Sequence, residues 1–494
     1  MKNIQFYASL IILSIFLINC SSDDDDVVTP LATPEPDPVA TVDLEIENFI
    51  WKGLNLYYLW QQDVPDLSDT KFTTQIELDA YLAPYDGKHE ELFENLLHNE
   101  DEFSWIVDDY NVLDQQLRGG VSSTTGMDIR LSYIDSNSPN LVAFVRYILP
   151  NSAADDKNIK RGDFFQKVDG QQLTINNYFA LLFESESYTI ELTDYNNGVF
   201  TNTGTEILLI KEELAENPVH IVKTIDNGSD KVGYIMYNQF LSTYDSDLNT
   251  AFGTLKAEGV SDLVLDLRYN SGGQVSSAIN LSSMITGQFE NEVFSVQRWN
   301  DKVNDYFTAE YGSDYFTYFF SNSMESGEAI NNLNMNKVII LTSSSTASSS
   351  ELVINGLDPY IEVILIGDTT VGKTWGSLTL YDSPDYTNKD DINPNHTWAM
   401  QPLVVETQNS VGYNNKTGFI PDYELLEYAS NLGVLGDPNE PLLSKALEIL
   451  DPSTKYGLDK LDEELIGHEY FTDSKKESAI GNNMFIELKD GFIK

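Results

Sequence analysis

Residues 338–357 read VIILTSSSTASSSELVINGL. The stretch opens with an aliphatic, mostly β-branched run (Val338–Leu341), passes through a serine-rich turn and continues with apolar residues at helical spacing (Ser350–Leu357). A buried strand that leads through a polar turn into a helix is the building unit of α/β folds. A serine at such a helix start lies next to backbone N–H groups, which suits a nucleophile, but serine also caps many helices. The stretch therefore predicts α/β structure and leaves its serines open as helix caps or as a nucleophile.

The same alternation of strands and helices extends to both sides of this unit. The further strand-like runs are Val232–Tyr237, Leu263–Leu267 and Ile361–Ile366, and the helical patterns between the strands include Leu248–Glu258 and Val275–Thr286. Such alternation predicts parallel strands joined by helical crossovers. We therefore expect an α/β core with a parallel-type sheet over residues 213–450.

Two glycine-containing turns follow predicted strands of this core. Residues 263–273 read LVLDLRYNSGG, and residues 367–374 read GDTTVGKT. Adjacent glycines allow backbone N–H groups to point at an anion or an oxyanion. The second turn also matches the phosphate-loop pattern G-x-x-x-x-G-K-[ST], so a P-loop nucleotide binder is one alternative function. The candidate partner acid, Asp266, precedes this loop in the sequence, which disfavours the alternative.

The composition excludes one large class of partners. The 494 residues include 29 Lys+Arg against 78 Asp+Glu, so the formal net charge is −49. A surface this negative repels phosphate backbones, so we expect no nucleic-acid partner and disfavour polyphosphate binding as well. Cys20 is the single cysteine, so the chain has no disulfide framework and no cysteine-based zinc site.

The N-terminus has the pattern of a targeting segment. An apolar run, Ile4–Ile18, ends shortly before Cys20, and four aspartates follow at Asp23–Asp26. The run has the length of a signal-peptide core rather than that of a membrane span. It resembles a bacterial lipoprotein signal of the Bacteroidetes type, in which the cysteine becomes the lipidated first residue. An ordinary signal peptide with an incidental cysteine is the alternative.

This resemblance implies a signal peptide at 1–19 and an acidic, proline-rich tether at 20–42. It also implies a protein outside the cytoplasm, anchored by lipid to the outer membrane on the periplasmic side or at the cell surface. Contact with the membrane would be through the lipid anchor only.

Two regions flank the central part of the mature chain. Residues 43–118 show apolar residues at helical spacing and predict a helical N-terminal domain. Its aromatic residues Trp51, Tyr57, Tyr58 and Trp60 are interpreted as core or as an interdomain seam, with partner binding as the alternative. Residues 451–494 are poorly patterned, and we expect only a C-terminal extension there.

Residues 119–212 contain short β-type runs separated by turn residues. They carry the segments LPNSAA (149–154), IKRGD (159–163) and VDGQ (168–171), which together resemble a PDZ domain of the bacterial protease type. The resemblance implies a PDZ-like, β-rich domain that captures a peptide C-terminus by strand addition and by a nest of backbone N–H groups. Its peptide-binding loop would be formed by the four consecutive residues Gly126, Met127, Asp128 and Ile129. A generic small β-domain is the alternative.

The three turns of the core occur in a familiar order. The stretches LVLDLRYNSGG, SSTASSSE and GDTTVGKT resemble the "LDLRxNPGG", "SASASE" and "GxxTxGKG" motifs of the C-terminal-processing (tail-specific) serine proteases, peptidase family S41. A later GFIPD at 418–422 resembles the family's "G-x-x-P-D". The resemblance implies a multidomain α+β protein whose core is of the ClpP/crotonase-like kind. It also implies a serine endopeptidase that acts on proteins or peptides with an accessible C-terminus, without metal or cofactor.

Matching the motifs residue by residue implies a catalytic pair. Ser348 falls at the nucleophile, and Lys373, 25 positions further along the chain, falls at the general base. The implied oxyanion and supporting residues are Gly272, Gly273, Ser349, Glu351 and Thr370, of which Glu351 is a candidate supporting acid and Thr370 a candidate holder of the Lys373 ammonium group. Ser377 stands where some family members carry a glutamine, so a third catalytic residue is not assigned.

A lysine base makes a physical demand on its surroundings. Its pKa must fall from about 10.4 towards 7, which costs roughly 4–5 kcal/mol. Burial against apolar neighbours can supply this shift, and Val371 and Trp375 are the candidates in the sequence. Two alternatives remain: a tricorn-like Ser-His protease that uses His220 as its base, and a catalytically silent peptide-binding lipoprotein.

Overall fold

The computed structural model describes residues 43–196, 199–428, 431–454, 468–478, 480–481 and 484–488. The predicted signal peptide (1–19), Cys20 and the predicted tether (20–42) lie outside the described residues. Contacts group Leu44–Lys494 into one unit, to which the following description applies.

The helices are distributed over the whole described chain. They are α1 (Glu45–Tyr57), α2 (Gln75–Leu82), α3 (His89–Asn95), α4 (Tyr110–Gly119), α5 (Ala153–Asp156), α6 (Asp245–Glu258), α7 (Val275–Ile285), α8 (Asp301–Tyr311), α9 (Ser349–Leu357), α10 (Pro441–Leu450) and α11 (Ser474–Glu477). No helix of the described residues is long and apolar enough to cross a bilayer.

The strands belong to three larger sheets and two small ones. They are β1 (Trp105–Val107), β2 (Val121–Thr124), β3 (Met127–Tyr133), β4 (Leu141–Ile148), β5 (Phe164–Val168), β6 (Gln171–Gln172), β7 (Ser187–Asn196), β8 (Val199–Ile210), β9 (Glu212–Ala215), β10 (Val219–Asn227), β11 (Asp230–Tyr237), β12 (Asp262–Asp266), β13 (Gly273–Gln274), β14 (Val293–Trp299), β15 (Thr317–Phe319), β16 (Lys337–Thr342), β17 (Glu362–Gly367), β18 (Trp375–Ser377), β19 (Leu380–Tyr381), β20 (Ala399–Gln401), β21 (Leu403–Asn409), β22 (Tyr423–Glu424), β23 (Tyr470–Asp473) and β24 (Met484–Phe485).

The central sheet has the order β10-β11-β12-β16-β17-β22. From β11 to β22 neighbouring strands run parallel, and β10 pairs antiparallel at one edge. Helix α6 forms the crossover from β11 to β12 and ends where Gly259 adopts a left-handed φ of 75°. The predicted alternation of strands and helices, and with it the α/β core, is confirmed. The strands β12, β16 and β17 end at one edge of the sheet, so the turns after them, which carry the three motifs, lie next to one another.

The region 119–212 is rich in β-structure, as predicted. Its main sheet has the order β23-β3-β4-β5-β7-β8, with β6 paired to β5, and a separate two-stranded antiparallel sheet pairs β2 with β9. We call residues 119–212 the β-rich region. The edge strand β23 comes from residues 470–473, where we expected only an extension.

A second six-stranded sheet, β13-β24-β18-β21-β14-β15, contains another strand from the end of the chain. Strand β24 lies parallel between β13, which begins at Gly273, and β18, which follows Lys373. Residues 470–473 and 484–485 of the expected extension are thus built into two sheets. The extension carries no clear hydrophobic period because each of its strands is only two to four residues long.

The N-terminal helical region shares a hydrophobic core with the central sheet. Phe49, Leu54 and Tyr57 of α1 belong to the same buried cluster as Leu265 of β12 and Val353 of α9. Strand β1 also pairs antiparallel with β20. Of the N-terminal aromatic residues expected to be core or seam, Trp51, Tyr57 and Tyr58 are buried in this joint core and the partly buried Trp60 packs against it.

Candidate active site

The loop between β16 and α9 holds Ser348 in a strained conformation. Its φ of 64° is uncommon for a residue with a side chain, and such strain persists only where the surroundings enforce it. The loop is tied to the residue that follows β12, because the Thr346 hydroxyl donates to the carbonyl of Leu267 at 2.9 Å. The side chain of Ser348 is fully buried, and its Oγ has no hydrogen-bond partner among the described residues. Ser348 occupies the N-cap position of α9, and Glu351 at the N3 position accepts its backbone N–H, as in a capping box.

The carboxylate of Glu351 connects the two predicted catalytic residues. Its Oε2 accepts the backbone N–H of Ser348 at 2.8 Å and that of Lys373 at 2.9 Å. Its Oε1 accepts the Thr370 hydroxyl and the Gly372 N–H, both at 2.6 Å. Burial raises the pKa of Glu351, and these four hydrogen bonds oppose the rise by stabilising the ionised form. Glu351 therefore fixes the Lys373 loop against the start of α9.

Thr370 is bonded to the supporting carboxylate. Its hydroxyl donates to Glu351, and its oxygen accepts the backbone N–H of Phe419 at 2.7 Å. The threonine thus orients the supporting carboxylate. Its expected role as a holder of the Lys373 ammonium group stays a prediction.

Lys373 is buried, with 2% of its surface exposed. Burial lowers its pKa to about 7, while the negative charges of Asp101 and Glu351 act in the opposite direction. The Nζ atom lies 4.9 Å from the centroid of the Phe103 ring. Phe103 is therefore one apolar neighbour of the amine, and the Trp375 ring, expected to contribute, lies 6.3 Å from the Phe103 ring. Both Asp101 and Phe103 come from the N-terminal region, more than 250 positions away, and nothing in their local sequence indicates this role.

Gly272 and Gly273 lie against the start of α9. Their φ values are 116° and 133°, in the range that favours glycine, and a Cβ on Gly273 would approach the carbonyl oxygen of Phe240 to 2.2 Å. The hydroxyl of Ser349 donates to the carbonyl of Gly273 at 2.7 Å, so the predicted oxyanion residues are brought together. The Gly272 N–H donates to the side-chain oxygen of Asn270 at 2.9 Å, so an oxyanion would have to replace that oxygen to use it.

The phosphate-loop alternative lacks the required geometry. A phosphate loop leads into a helix whose N-terminal N–H groups hold the phosphates. Here the GDTTVGKT turn leads into strand β18, and the N–H groups of Gly372 and Lys373 already donate to Glu351. Among the described residues no group of three or more His, Cys, Asp or Glu could hold a metal ion.

His220 lies in β10 with its ring 5.0 Å from that of Tyr147. Burial lowers its pKa, and the nearby carboxylate of Glu216 acts against this. Because the Ser348 Oγ has no hydrogen-bond partner among the described residues, His220 is not bonded to it in this arrangement. The structure thus offers no contact that supports His220 as the base.

The predicted peptide-binding loop precedes and opens β3. Gly126 has a φ of 85°, and a Cβ there would clash with Ser152. Asp128 is buried in an ion pair with Arg146, and the N–H of Ile129 donates to the hydroxyl of Ser474 at 2.9 Å. A cavity of about 350 Å³ is lined by residues 120–129 and extends to Ser271, next to the Gly272-Gly273 turn. The cavity of the β-rich region thus reaches the residue before the Gly272-Gly273 turn.

Comparison with known proteins agrees with this geometry. The profile described as Peptidase family S41 matches residues 231–423, and the one described as Peptidase S41 N-terminal domain matches residues 45–105. The chain belongs to peptidase family S41.

Relatives and solved structures extend the match. A carboxyl-terminal-processing protease from Picosynechococcus sp. is 24% identical over 307 residues, which cover 61% of this chain. The chloroplastic carboxyl-terminal-processing peptidase 1 of Arabidopsis thaliana is 24% identical over 357 residues, which cover 71% of this chain. The chain spans 65% of the length of each of these curated relatives. A solved structure from Bacteroides fragilis, described as an S41 protease, has a TM-score of 0.62 and 26% identity and covers 86% of this chain and 100% of that one.

Arg268, a residue of the first S41 motif, supports the loop that precedes Ser348. Arg268, within LVLDLRYNSGG, is fully buried, and its guanidinium contacts the carboxylates of Asp266, Glu427 and Glu440. Its backbone carbonyl accepts the hydroxyl of Ser343 in the loop that precedes Ser348. The arginine thus holds the serine-rich loop in place from beneath the S41 site.

Proposed function

We propose that this S41 chain is a serine endopeptidase of the C-terminal-processing type, with Ser348 as nucleophile and Lys373 as general base. The observation that carries the proposal is the shared carboxylate oxygen of Glu351, which binds the backbone N–H groups of both residues. This oxygen holds the backbones of Ser348 and Lys373 next to each other although they are 25 positions apart. Burial lowers the pKa of Lys373 to about 7, so its amine can be a neutral base near pH 7.

The proposed reaction follows from these groups. Neutral Lys373 takes the proton of the Ser348 hydroxyl as the Oγ attacks the scissile carbonyl, and a tetrahedral oxyanion forms. Collapse of this intermediate breaks the C–N bond, and the Lys373 ammonium returns its proton to the leaving amine. Water then attacks the acyl-serine, Lys373 again accepts a proton, and the carboxylate product leaves with the Ser348 hydroxyl restored. Backbone N–H groups near Gly273 and Ser349 are the candidates for holding the oxyanion.

The substrate would be a protein or peptide with an accessible C-terminus. The cleft that joins the Gly126 loop to Ser271 supports this, because a chain bound by its end in the β-rich region could run along the cleft towards Ser348. The supporting residues would be Gly272, Gly273, Ser349, Glu351 and Thr370.

Cleavage of an unstructured protein, such as reduced casein, tests the assignment. We expect Ser348→Ala and Lys373→Met each to reduce the rate at least about a thousandfold, as loss of a nucleophile or a base does in other serine peptidases. Ser344→Ala is the matched control, because this serine lies in the same loop and is partly exposed. Cleavage that persists in Ser348→Ala would exclude this nucleophile. Activity kept in Lys373→Met and lost in His220→Ala would instead favour the Ser-His alternative.

A catalytically silent peptide-binding protein is the second candidate. The observation that favours it is the Ser348 Oγ, which has no hydrogen-bond partner among the described residues. In that case the wild-type chain would bind peptides with a free C-terminus but would not cleave casein under any condition that preserves the fold.

We also propose that the chain is a lipoprotein attached to the outer membrane through Cys20. The support is the apolar run Ile4–Ile18, which ends two residues before this cysteine. Labelling of cells with a fatty-acid analogue tests it. Wild type should carry the label and sediment with membranes, and Cys20→Ser should do neither.

A further inference from the structure

The edge of the β-rich region on which a peptide would bind is covered by the chain itself. Strand β23 lies antiparallel on β3, with Tyr470 opposite Ser132, Thr472 opposite Leu131 and Asp473 opposite Arg130. Strand β3 is the strand that the Gly126 loop opens. Antiparallel addition to an open sheet edge is the mode by which an extended peptide is captured. The segment 470–473 thus occupies the place of a bound peptide.

Side chains of the segment 470–477 fill the groove beside this edge. The Phe471 ring packs between Tyr133, at a centroid distance of 5.4 Å, and Tyr178, at 5.1 Å. Glu477 accepts the Tyr178 hydroxyl at 3.2 Å. Apolar anchoring by one ring together with main-chain pairing is what a peptide ligand of such a groove would use.

The same segment is bonded to the loop of the proposed nucleophile. The hydroxyl of Ser345 donates to the Asp473 carboxylate at 2.6 Å, three positions before Ser348. Arg146 donates to Ser345 at 2.8 Å and lies 3.2 Å from Asp473. Arg146 also pairs with Asp128 of the peptide-binding loop. One buried ionic cluster therefore joins the peptide-binding loop, the C-terminal segment and the nucleophile loop.

The pairing of β23 leaves room for an incoming chain. It covers Arg130–Ser132 of β3 with an irregularity in register, whereas the cavity of about 350 Å³ lies at the start of β3 and in front of it. A peptide end can enter this cavity first and then extend along β3 as β23 leaves. Because β23 is only four residues long, few main-chain hydrogen bonds have to be exchanged.

We propose that the segment Tyr470–Glu477 is a resident ligand of the peptide-binding edge, which the C-terminus of a substrate displaces, and that its Asp473–Ser345 hydrogen bond keeps the nucleophile loop at rest until then. The inference rests on the proposed function for its link to catalysis. It agrees with a Ser348 hydroxyl that is held without a hydrogen-bond partner among the described residues. Departure of Asp473 would free Ser345 and leave Arg146 to the incoming ligand or to Asp128.

Hydrogen exchange tests the displacement directly. The probe is a decapeptide with an apolar last residue and a free carboxylate, and its C-terminally amidated form is the control. We expect the free-acid peptide to accelerate exchange of the Phe471–Asp473 amides at least about tenfold, a shift in local opening of the size that ligand exchange produces. We also expect Phe471→Ala to bind the peptide about tenfold more tightly, with Phe319→Ala, which removes an exposed ring of β15, unchanged. Peptide binding without faster exchange would overturn the inference, and so would the absence of peptide binding.

A disulfide lock tests the link to catalysis. Ser132→Cys with Tyr470→Cys joins directly opposed positions, and Cys20→Ser leaves these two as the only thiols. Oxidation should reduce casein cleavage at least about tenfold, and reduction should restore it, while Ser132→Cys with Cys20→Ser responds to neither treatment. Full activity in the locked chain would overturn the inference although Ser348-dependent cleavage stands. Failure of the proposed function is distinguishable, because the wild-type chain would then cleave nothing while the exchange experiment still reports on the segment.

Discussion

Ser348 and Lys373 donate their backbone N–H groups to the same carboxylate oxygen, Oε2 of Glu351, over 2.8 and 2.9 Å. Two more donors reach the other oxygen, so four hydrogen bonds converge on one buried side chain. All four partners are hydrogen-bond donors, so both side-chain oxygens must act as acceptors, as in a carboxylate. The carboxylate therefore determines the relative position of the proposed nucleophile and base.

Replacement of Glu351 by glutamine should reduce kcat much more than it changes KM. The amide NH₂ of glutamine would face at least one of the four donors, and a buried donor left without an acceptor costs about 1–3 kcal/mol, which corresponds to roughly a ten- to hundredfold loss of rate. Steady-state kinetics on a fluorogenic peptide measure this. Glu362→Gln, on an exposed position of β17, is the control and should behave as wild type. An unchanged kcat in Glu351→Gln would show that the carboxylate does not position the pair.

Activity should increase with pH through an apparent pKa near 7. Only neutral Lys373 can accept the Ser348 proton, and burial lowers the pKa of Lys373 to about 7. The pH dependence of kcat/KM measures the pKa in the free enzyme. A profile that remains flat between pH 6 and 9 would argue against Lys373 as the base.

Removal of the Phe103 ring should move that profile to higher pH. The ring covers the Lys373 amine at 4.9 Å, and its loss admits water, which favours the charged form. We expect Phe103→Ala to raise the apparent pKa by about one unit, which corresponds to roughly 1.4 kcal/mol. Phe72→Ala is the control, because Phe72 packs against Trp51 and Tyr81 in the same N-terminal region. A lower activity with an unmoved profile would indicate a structural role for Phe103.

The local motifs of the core could be predicted from the sequence, whereas the contact of Phe103 with Lys373 could not. The strand–helix alternation and the three motif turns predicted the core and brought Ser348, Glu351 and Lys373 together, because each motif is local and ends a parallel strand. The contribution of Phe103 could not be predicted, since it depends on a contact between segments distant in sequence. The short strands β23 and β24 could not be predicted for the same reason, because they form by pairing with the distant strands β3, β13 and β18.

Lys373→Met should stabilise the fold, and the gain should depend on pH. The pKa of Lys373 is about 7 in the folded chain and near its ordinary value of 10.5 in the unfolded chain. Below pH 7 the lysine is charged in both states, so the folded state bears the full cost of the buried charge, on the order of 4–5 kcal/mol. Between pH 7 and 10.5 the unfolded state binds the extra proton, so this cost fades as the pH rises. Urea unfolding at pH 6 and pH 9 should therefore show a larger gain at pH 6, and exposed Lys256→Met should show none. An equal gain at both pH values would contradict the lowered pKa.

Arg268→Lys should destabilise the chain although it conserves the charge. The guanidinium makes hydrogen bonds to Asp266, Glu427 and Glu440, and two of these bonds form a bidentate pair with Glu440. An ammonium group cannot reach three carboxylates in this planar arrangement, and a buried carboxylate without its partner costs about 3–5 kcal/mol. Urea unfolding measures the loss, with Arg298→Lys on an exposed position of β14 as the control. Because the Arg268 carbonyl also holds Ser343, we expect the variant to lose kcat as well. A variant as stable as wild type would mean that the carboxylates are satisfied without the guanidinium, and the loop before Ser348 would then need another support.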